Sequence, residues 1–431
     1  MTLTSVVANA ILSLRFLAEN LVTLNLLLDL DGTLLGNEIN GFVSGYTAAL
    51  AKFMASYVEP GYFVQSLMKA TGAMIQGQRP ECTLEQNFDA VFYPALGYAK
   101  EDLRPQIDTF YREIFPSLQP LTEFRPEAVQ FVEEALRRGH RLSIATNPLF
   151  PRTAILQRLA WAGFPAGNLP FEIVPSFETF HFAKPNPAFF AEILAYLGWP
   201  DGPVVMVGNE MSLDISPARM LGLSAFWIDG DGAASSVDSR DPLAPQAFGK
   251  IQDIISWLDV TQPEALKPGY NTPAAYIAIL EATLAFWDTM VRCLPAGVYG
   301  QRPNDGEWCL SEIICHLRDV DADVNLPRLQ KIILENNPFL PGKDTDPWAE
   351  ERHYINQDCM QAAGAFMAAR QNLVTLLRSL KPEEWKRPAR HAIFGPTDLS
   401  ELVGFITGHD RLHIQQALQA VHRVAPGLSL V

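Results

Sequence analysis

The sequence predicts an α/β sheet followed by an all-α four-helix bundle, and three observations carry that prediction. Short continuous apolar runs recur at Leu24 to Leu28, Arg141 to Thr146 (RLSIAT), Val204 to Val207 (VVMV) and Leu223 to Ile228 (LSAFWI), each ending at polar residues. Such runs read as buried parallel strands, and strands that alternate with helical stretches read as an α/β sheet. Past a cluster of Pro263, Pro268, Gly269 and Pro273 the runs stop and long helical patterns take over. The 431 residues, 48% of them hydrophobic, also exceed what one core usually organises.

Taken in order, Val6 to Leu28 is apolar but broken by Arg15, Glu19, Asn20 and Asn25. It reads as an amphipathic helix running into the first strand rather than as a signal or membrane anchor. From about Ile39 to Leu121 no comparable strand occurs, and amphipathic stretches are separated by Pro60-Gly61, Gly77 to Pro80 and Pro94. This predicts a helical cap inserted after the first strand. A loop-like tract from Gly230 to Pro245 precedes a last helix at Gly249 to Asp259. The expected division is therefore 1–260, with its cap at about 39–121, a linker at 261–272 and a bundle over 273–431. The bundle helices are expected near 273–293, 310–335, 356–380 and 398–421.

Charge and cysteine usage narrow the setting. The net charge is -15, with acidic excess in both halves, so no basic stripe is available for a phosphate backbone and nucleic acid is excluded as a partner. Cys82, Cys293, Cys309, Cys315 and Cys359 are scattered, odd in number and without a CxxC pair, which points to a reducing, cytoplasmic setting; the polar interruptions of the N-terminal apolar stretch predict no membrane partner.

Four strand ends carry the chemistry. Asp29-Leu30-Asp31-Gly32-Thr33 places two carboxylates at the mouth of a parallel sheet, where they can share a metal while the Gly32 turn exposes N–H groups. One carboxylate can attack while the other handles a proton; a solvated acidic pair is the plain alternative. Thr146 and Asn147 end the second run and suit phosphoryl oxygens. Lys184-Pro185-Asn186-Pro187 sets a cation before a helix start, and Gly208-Asn209-Glu210 with Asp214 offers the hard oxygen ligands that Mg²⁺ prefers. Glu210 reads equally well as a compensating acid at this strand end and as an exposed loop residue.

In this order DLDGTL, SIATN, KPNP and VGNEMSLD resemble the four motifs of the haloacid dehalogenase superfamily, over roughly residues 24–260. The resemblance implies a Rossmann-like core using aspartyl-phosphate chemistry with Mg²⁺. It implies Asp29 as nucleophile, Asp31 as general acid, and Thr146 and Asn147 on the phosphoryl oxygens. Gly32 and Thr33 would contact substrate, and Lys184 would neutralise charge. Asp29, Asp31, Asn209 and Asp214 would hold the metal. Dehalogenases of the family lack the second carboxylate, so Asp31 favours a phosphatase acting on a small phosphate ester. Asn209 stands where most relatives have aspartate, which removes one charge from the metal site.

The last helical pattern carries His409 and His413, an i,i+4 pair that shares one helix face, and His316 lies beside Ile313 and Leu317 on an apolar stripe. Three inward imidazoles could bind a divalent ion with a position open for water; chance spacing is the alternative. The GEWCLSEIICHL and GHDRLHIQQ segments resemble the DinB-like (YfiT-like) metalloprotein superfamily over about 270–425. That implies a four-helix bundle with a three-histidine site for Zn²⁺, Ni²⁺ or Fe²⁺. Asp319 is either a partner for His316 or an exposed acid. His140, His181, His353, His391 and His422 read as surface residues.

Three functions fit: a Mg²⁺-dependent phosphatase with the bundle as accessory, a metal-dependent transferase or hydrolase centred on the bundle and perhaps using a small thiol, and a binding protein without catalysis. Apolar faces on such a bundle leave room for a homodimer.

Overall fold

Strand β1 (Asn25–Leu28) lies between β4 (Arg141–Ile144) and β5 (Val204–Gly208), and β6 (Ser224–Ile228) and β7 (Ala247–Gly249) extend the sheet in the order β4-β1-β5-β6-β7, all parallel. The computed structural model describes residues 22–228, 232, 238, 240–428 and 430; the helix expected ahead of β1 and the first part of the 230–245 tract lie outside them. Side chains alternate across the strands. Leu26, Leu28, Val205 and Val207 face one apolar core, and Leu27, Val204 and Met206 face another.

The ribbon of β2 (Leu35–Gly36) and β3 (Glu123–Phe124) is antiparallel and brackets a helical insertion. The insertion contains α1 (Ile39–Phe53), α2 (Pro60–Gln76), α3 (Leu84–Leu96) and α4 (Lys100–Thr109). Its helices start on local signals. Glu38 accepts the N–H groups of Asn40 and Gly41, and Thr83 and Gln86 form a reciprocal capping box. After β3 come α5 (Pro126–Arg137), α6 (Arg152–Trp161), α7 (Pro187–Tyr196), α8 (Ser216–Leu221) and α9 (Asp253–Val260), covering the sheet.

Beyond the proline-rich link run α10 (Pro273–Cys293), α11 (Leu310–Val320), α12 (Leu326–Leu334), a short α13 (Trp348–Glu351), α14 (Cys359–Arg378) and α15 (Leu399–Val424). The helix expected over 310–335 is interrupted by one wide turn, Asp321–Asn325, just ahead of Pro327, whose missing N–H cannot continue the ladder. A small sheet of β8 (Phe339–Leu340), β9 (Pro388–His391) and β10 (Gly395–Asp398) was not foreseen, because its strands are two to four residues long.

The sheet half and the bundle share a core. Helix α7 is buried on every side because one face covers the sheet and the other packs along α10. By length and composition α10 could cross a membrane; here 83% of its most apolar window is buried inside the fold. One cluster of buried side chains runs from Leu27 and Met206 through Phe189 and Ile193 to Ile279 and Phe286, and on to Ile313, Phe366 and Ile414.

A buried polar cluster sits in this interface. His181 Nδ1 lies 2.7 Å from Glu192 Oε1 and Nε2 lies 2.9 Å from Asp288 Oδ2. Glu192 also accepts the backbone N–H groups of His181 and Phe182, each at 3.2 Å. Arg292 donates to Asp288 at 2.5 Å. This corrects the surface reading of His181, and also those of His140, which accepts the Leu24 N–H, and His391, which accepts the Ile393 N–H. His353 and His422 are exposed as expected.

Burial disfavours a charge on His181, but Glu192 and Asp288 outweigh it and hold the pKa above 6.5. Its stabilising contribution is then complete below pH 6.5 and fades as pH rises through the elevated value. Burial raises the Asp288 pKa, yet hydrogen bonding from His181 and the charges of His181 and Arg292 bring it below 3.8, so its contribution is lost as pH falls through that lowered value. The interface is expected to be strongest between these limits, at about pH 4 to 6.5. His181→Leu removes the cation between two buried carboxylates and should cost about 3–5 kcal/mol, read as a lower denaturation midpoint that no longer falls on raising the pH from 6 to 9.

Candidate functional site

The register puts the ends of β1, β4 and β5 side by side, with Leu28 opposite both Ile144 and Val207. Asp29, Thr146 and Asn209 therefore emerge together at the carboxyl edge of the sheet, where open α/β sheets build their sites. Lys184 comes from the loop before α7. Its Nζ donates to Asp29 Oδ1 at 2.7 Å and to Asp214 Oδ1 at 2.5 Å, and all three side chains are buried. Burial opposes the charge on Lys184, yet Asp214 and Asp29 more than compensate and its pKa lies above the ordinary value. Asp214 is pushed up to about 7, by burial first and by the Asp29 charge second, with Lys184 pulling against both.

Two glycines are required by contact. A Cβ on Gly208 would stand 2.3 Å from the Asp214 carboxylate. Gly32 has φ +74° and a Cβ there would meet the Asn209 amide at 2.4 Å. Thr33 spends its buried hydroxyl on Asn209 Oδ1, at 3.2 Å, so it braces the loop after β5. Asn147 Oδ1 accepts the Lys184 N–H at 3.1 Å, which leaves its NH₂ group as a donor. Glu210 is exposed; its N–H, not its carboxylate, serves the site by donating to Asp214 Oδ2 at 2.9 Å. The set of Asp29, Asp214 and Asn209 is all oxygen, which fits Mg²⁺.

Sequence reasoning missed the surroundings of Asp31. Arg158 of α6 is buried and contacts the Asp31 carboxylate, which also accepts from Asn37 Nδ2 at 2.8 Å. The guanidinium lies over two rings, Phe42 of the insertion at 5.1 Å and Phe150 of the loop after β4 at 5.2 Å. Burial lowers its pKa to about 10 despite the nearby Asp29. Arg125 holds the same turn from the other side, donating to the carbonyls of Gly32 and Thr33. A signal for Arg158 existed, since it lies on the apolar stripe of α6 with Ala154, Ile155 and Leu159.

In the bundle, His316 from α11 meets His409 and His413 from α15. Nε2 of His409 lies 3.2 Å from that of His316 and 3.1 Å from that of His413, and the three ligand atoms fall within 4.8 Å of one another. The nitrogens of a tetrahedral site with bonds of about 2.0–2.1 Å are separated by about 3.3 Å, so the cluster fits a divalent ion. Burial, then His413 and His409, pulls His316 down to about 3; burial, then His413 and Arg370, does the same for His409. Neutral imidazoles keep their lone pairs for a metal at neutral pH.

The supports differ from expectation. Asp319 turns away from His316 to Arg318, Arg352 and Tyr354, and the buried His316 Nδ1 has no hydrogen-bond partner among the described residues. His413 Nδ1 is fixed by Gln416 Oε1 at 2.8 Å, and Trp308 lies parallel to its ring. Beneath the histidines a buried Arg370 joins Asp321 and Asp410, tying α14 to the wide turn and to α15. All five cysteines are free, and burial lifts Cys309 and Cys359 to about 11 and Cys315 to about 12, so these three are not reactive thiolates.

The family model for haloacid dehalogenase-like hydrolases matches residues 25–222, which hold every strand end just described. This half is a haloacid dehalogenase-like hydrolase. The DinB superfamily model matches residues 279–417, which hold the three histidines, and that half is of the DinB superfamily. A phosphoserine phosphatase of Thermus thermophilus is 33% identical over 144 residues, covering 33% of this chain and 54% of that protein. The match thus spans about half the relative's length. Among solved structures, a 2-haloacid dehalogenase from Pseudomonas syringae pv. Tomato is 21% identical with a TM-score of 0.40, covering 55% of this chain and 98% of its own. YfiT from Bacillus subtilis, described as a probable metal-dependent hydrolase with an unusual four-helix bundle topology, is 20% identical with a TM-score of 0.33 and covers 36% of this chain and 89% of its own.

Arg158→Leu removes the cation from the half-buried Asp31, which keeps Asn37 as its donor. We expect a loss of about 1–3 kcal/mol of stability in urea titration, and no resolvable change for Arg137→Leu, whose exposed pair with Glu134 is screened by solvent.

Proposed function

We propose that this hydrolase is a phosphatase that cleaves a small phosphate monoester through a phosphoaspartate on Asp29. The observation that carries the reading is the second carboxylate, Asp31, held by Arg158 and Asn37 beside the Asp29–Lys184–Asp214 cluster. An alkoxide leaving group needs a proton, which a halide does not, and in this reading a protonated Asp31, let go by Arg158, gives one.

In this mechanism an Asp29 oxygen attacks phosphorus and the P–O bond to the alcohol breaks, with Asp31 protonating the departing oxygen. Asp31 then takes a proton from water, whose oxygen attacks the phosphoaspartate and frees inorganic phosphate. Lys184 keeps Asp29 oriented and offsets the negative charge that accumulates there. Thr146 and the Asn147 NH₂ donate to phosphoryl oxygens. Asp29, the Asp31 carbonyl, Asn209 and Asp214 would hold Mg²⁺, which when bound supplies further charge neutralisation. The acidic surface favours a small phosphate ester over nucleic acid, and the reduced cysteines favour a cytoplasmic setting.

The test is phosphate release from a panel of phosphomonoesters. Wild type with Mg²⁺ should be active, EDTA should abolish release, and Asp29→Asn should lower kcat by at least about a thousandfold. Release that survives Asp29→Asn would remove the phosphoaspartate.

The three-histidine cluster supports a second reading, a metal-dependent hydrolase in the bundle. Elemental analysis of purified protein is expected to find a divalent transition metal that His409→Ala eliminates. Equal metal content in both proteins would leave the cluster as packing only.

A further inference from the structure

The helix faces that carry His316 and His409 continue past them into a cavity of about 230 Å³. Val320, Val324 and Arg328 follow His316 at steps of four residues, and Ile406, Phe405 and Leu402 precede His409 by three, four and seven. Residues at these spacings share a helix face. His409 itself lines the cavity, so one ring belongs both to the cavity wall and to the histidine cluster. From His409 to Leu402 the wall is about 10 Å long, at about 1.5 Å per helical residue.

Much of that wall is apolar. Val320, Val324, Leu402 and Ile406 are buried along it. At its lip Phe394, from the turn between β9 and β10, stacks on Phe405 with ring centres 4.2 Å apart, and both rings stay exposed to water. The turn is fixed from behind, because Phe394 also stacks on the buried His391, whose Nδ1 accepts the N–H groups of Ile393 and Phe394.

The charged groups on the wall are cations. Arg328 of α12 and Lys343 of the loop after β8 both line the cavity, and among the described residues no carboxylate does. Arg328 donates from one Nη to the Pro341 carbonyl at 2.7 Å, which leaves the rest of its planar fork unspent. Burial lowers its pKa with no neighbouring acid to oppose the shift. The Lys343 ammonium stands 5.5 Å from the centre of the Trp348 ring. The acids nearest in the chain are engaged elsewhere: Asp321 with Arg370, Asp323 with Arg352, and Asp344 with the Asp346 N–H. A chain of net charge -15 thus sets two cations at one apolar-walled cavity. A guanidinium fork matches a carboxylate, and the apolar wall favours a hydrocarbon body.

We propose that this cavity binds a small carboxylate with an aromatic or alkyl body, its anionic end at Arg328 and Lys343 and its other end at His409. This names a substrate class for the metal-dependent hydrolase reading of the bundle, on which it rests.

The test is a ¹⁹F NMR titration of the full chain with 4-fluorophenylacetate and with its neutral amide, 4-fluorophenylacetamide. The carboxylate is expected to bind at least about tenfold more tightly. Arg328→Gln and Lys343→Glu, each checked for folding by circular dichroism, should weaken it by at least about tenfold. Lys343 is exposed, so its variant tests the site even where Arg328→Gln does not fold. No saturable shift, equal affinity for acid and amide, or carboxylate affinity unchanged in Lys343→Glu overturns the site. Loading the histidines with Co²⁺ should broaden the bound ¹⁹F resonance, and a sharp line in Co²⁺-loaded protein overturns the placement beside His409. Carboxylate binding by protein that takes up no metal would overturn the hydrolase reading and leave the anion site standing. Metal uptake without carboxylate binding would overturn the anion site and leave the hydrolase reading standing.

Discussion

The Lys184 ammonium, buried between the carboxylates of Asp29 and Asp214, is the interaction on which the N-terminal site depends. Three loops from three parts of the chain end on that one charge. Without it two buried carboxylates would repel each other at the sheet edge, with the Glu210 N–H left as a donor to Asp214. Its own position follows from α7, which begins three residues later with Pro187 at its first turn and Asn186 as its cap. The helix in turn is held by the sheet on one side and by α10 on the other, so the bundle contributes to where the Lys184 ammonium stands.

Much of this was legible in the sequence, and the reason is periodicity. Strands β1, β4, β5 and β6 are continuous apolar runs because both faces of a parallel sheet are covered, and polar residues at their ends could only stand at the sheet edge. The long bundle helices were legible from their apolar stripes. What escaped were features without a period: the short strands β8 to β10, the wide turn at Asp321–Asn325, and the burial of His140, His181 and His391. Those histidines sit in loops or at ends of elements, where sequence suggests solvent and only the packing of distant segments decides otherwise.

The charged residues that sequence reasoning passed over share a pattern. Arg158, Arg370 and Asp410 lie on helix faces that are otherwise apolar, and each proves to be paired in the interior. Isolated charges on an apolar stripe would have been too costly to bury alone, so each implied a partner not visible in the linear order. Both candidate sites use the device in the same place, directly behind their polar groups: Arg158 behind Asp31, and Arg370 with Asp410 behind the histidines.

The continuous core across α7 and α10 changes what the 261–272 segment is for. It is not a tether that keeps two independent bodies within reach. Cleaving the peptide there would leave the two pieces clasped, as in a split protein, since the buried surface and not the covalent link joins them. Producing either piece alone would instead bare a strip of Phe, Ile and Ala side chains to water and favour aggregation, so the practical unit for expression and crystallisation is the joined chain.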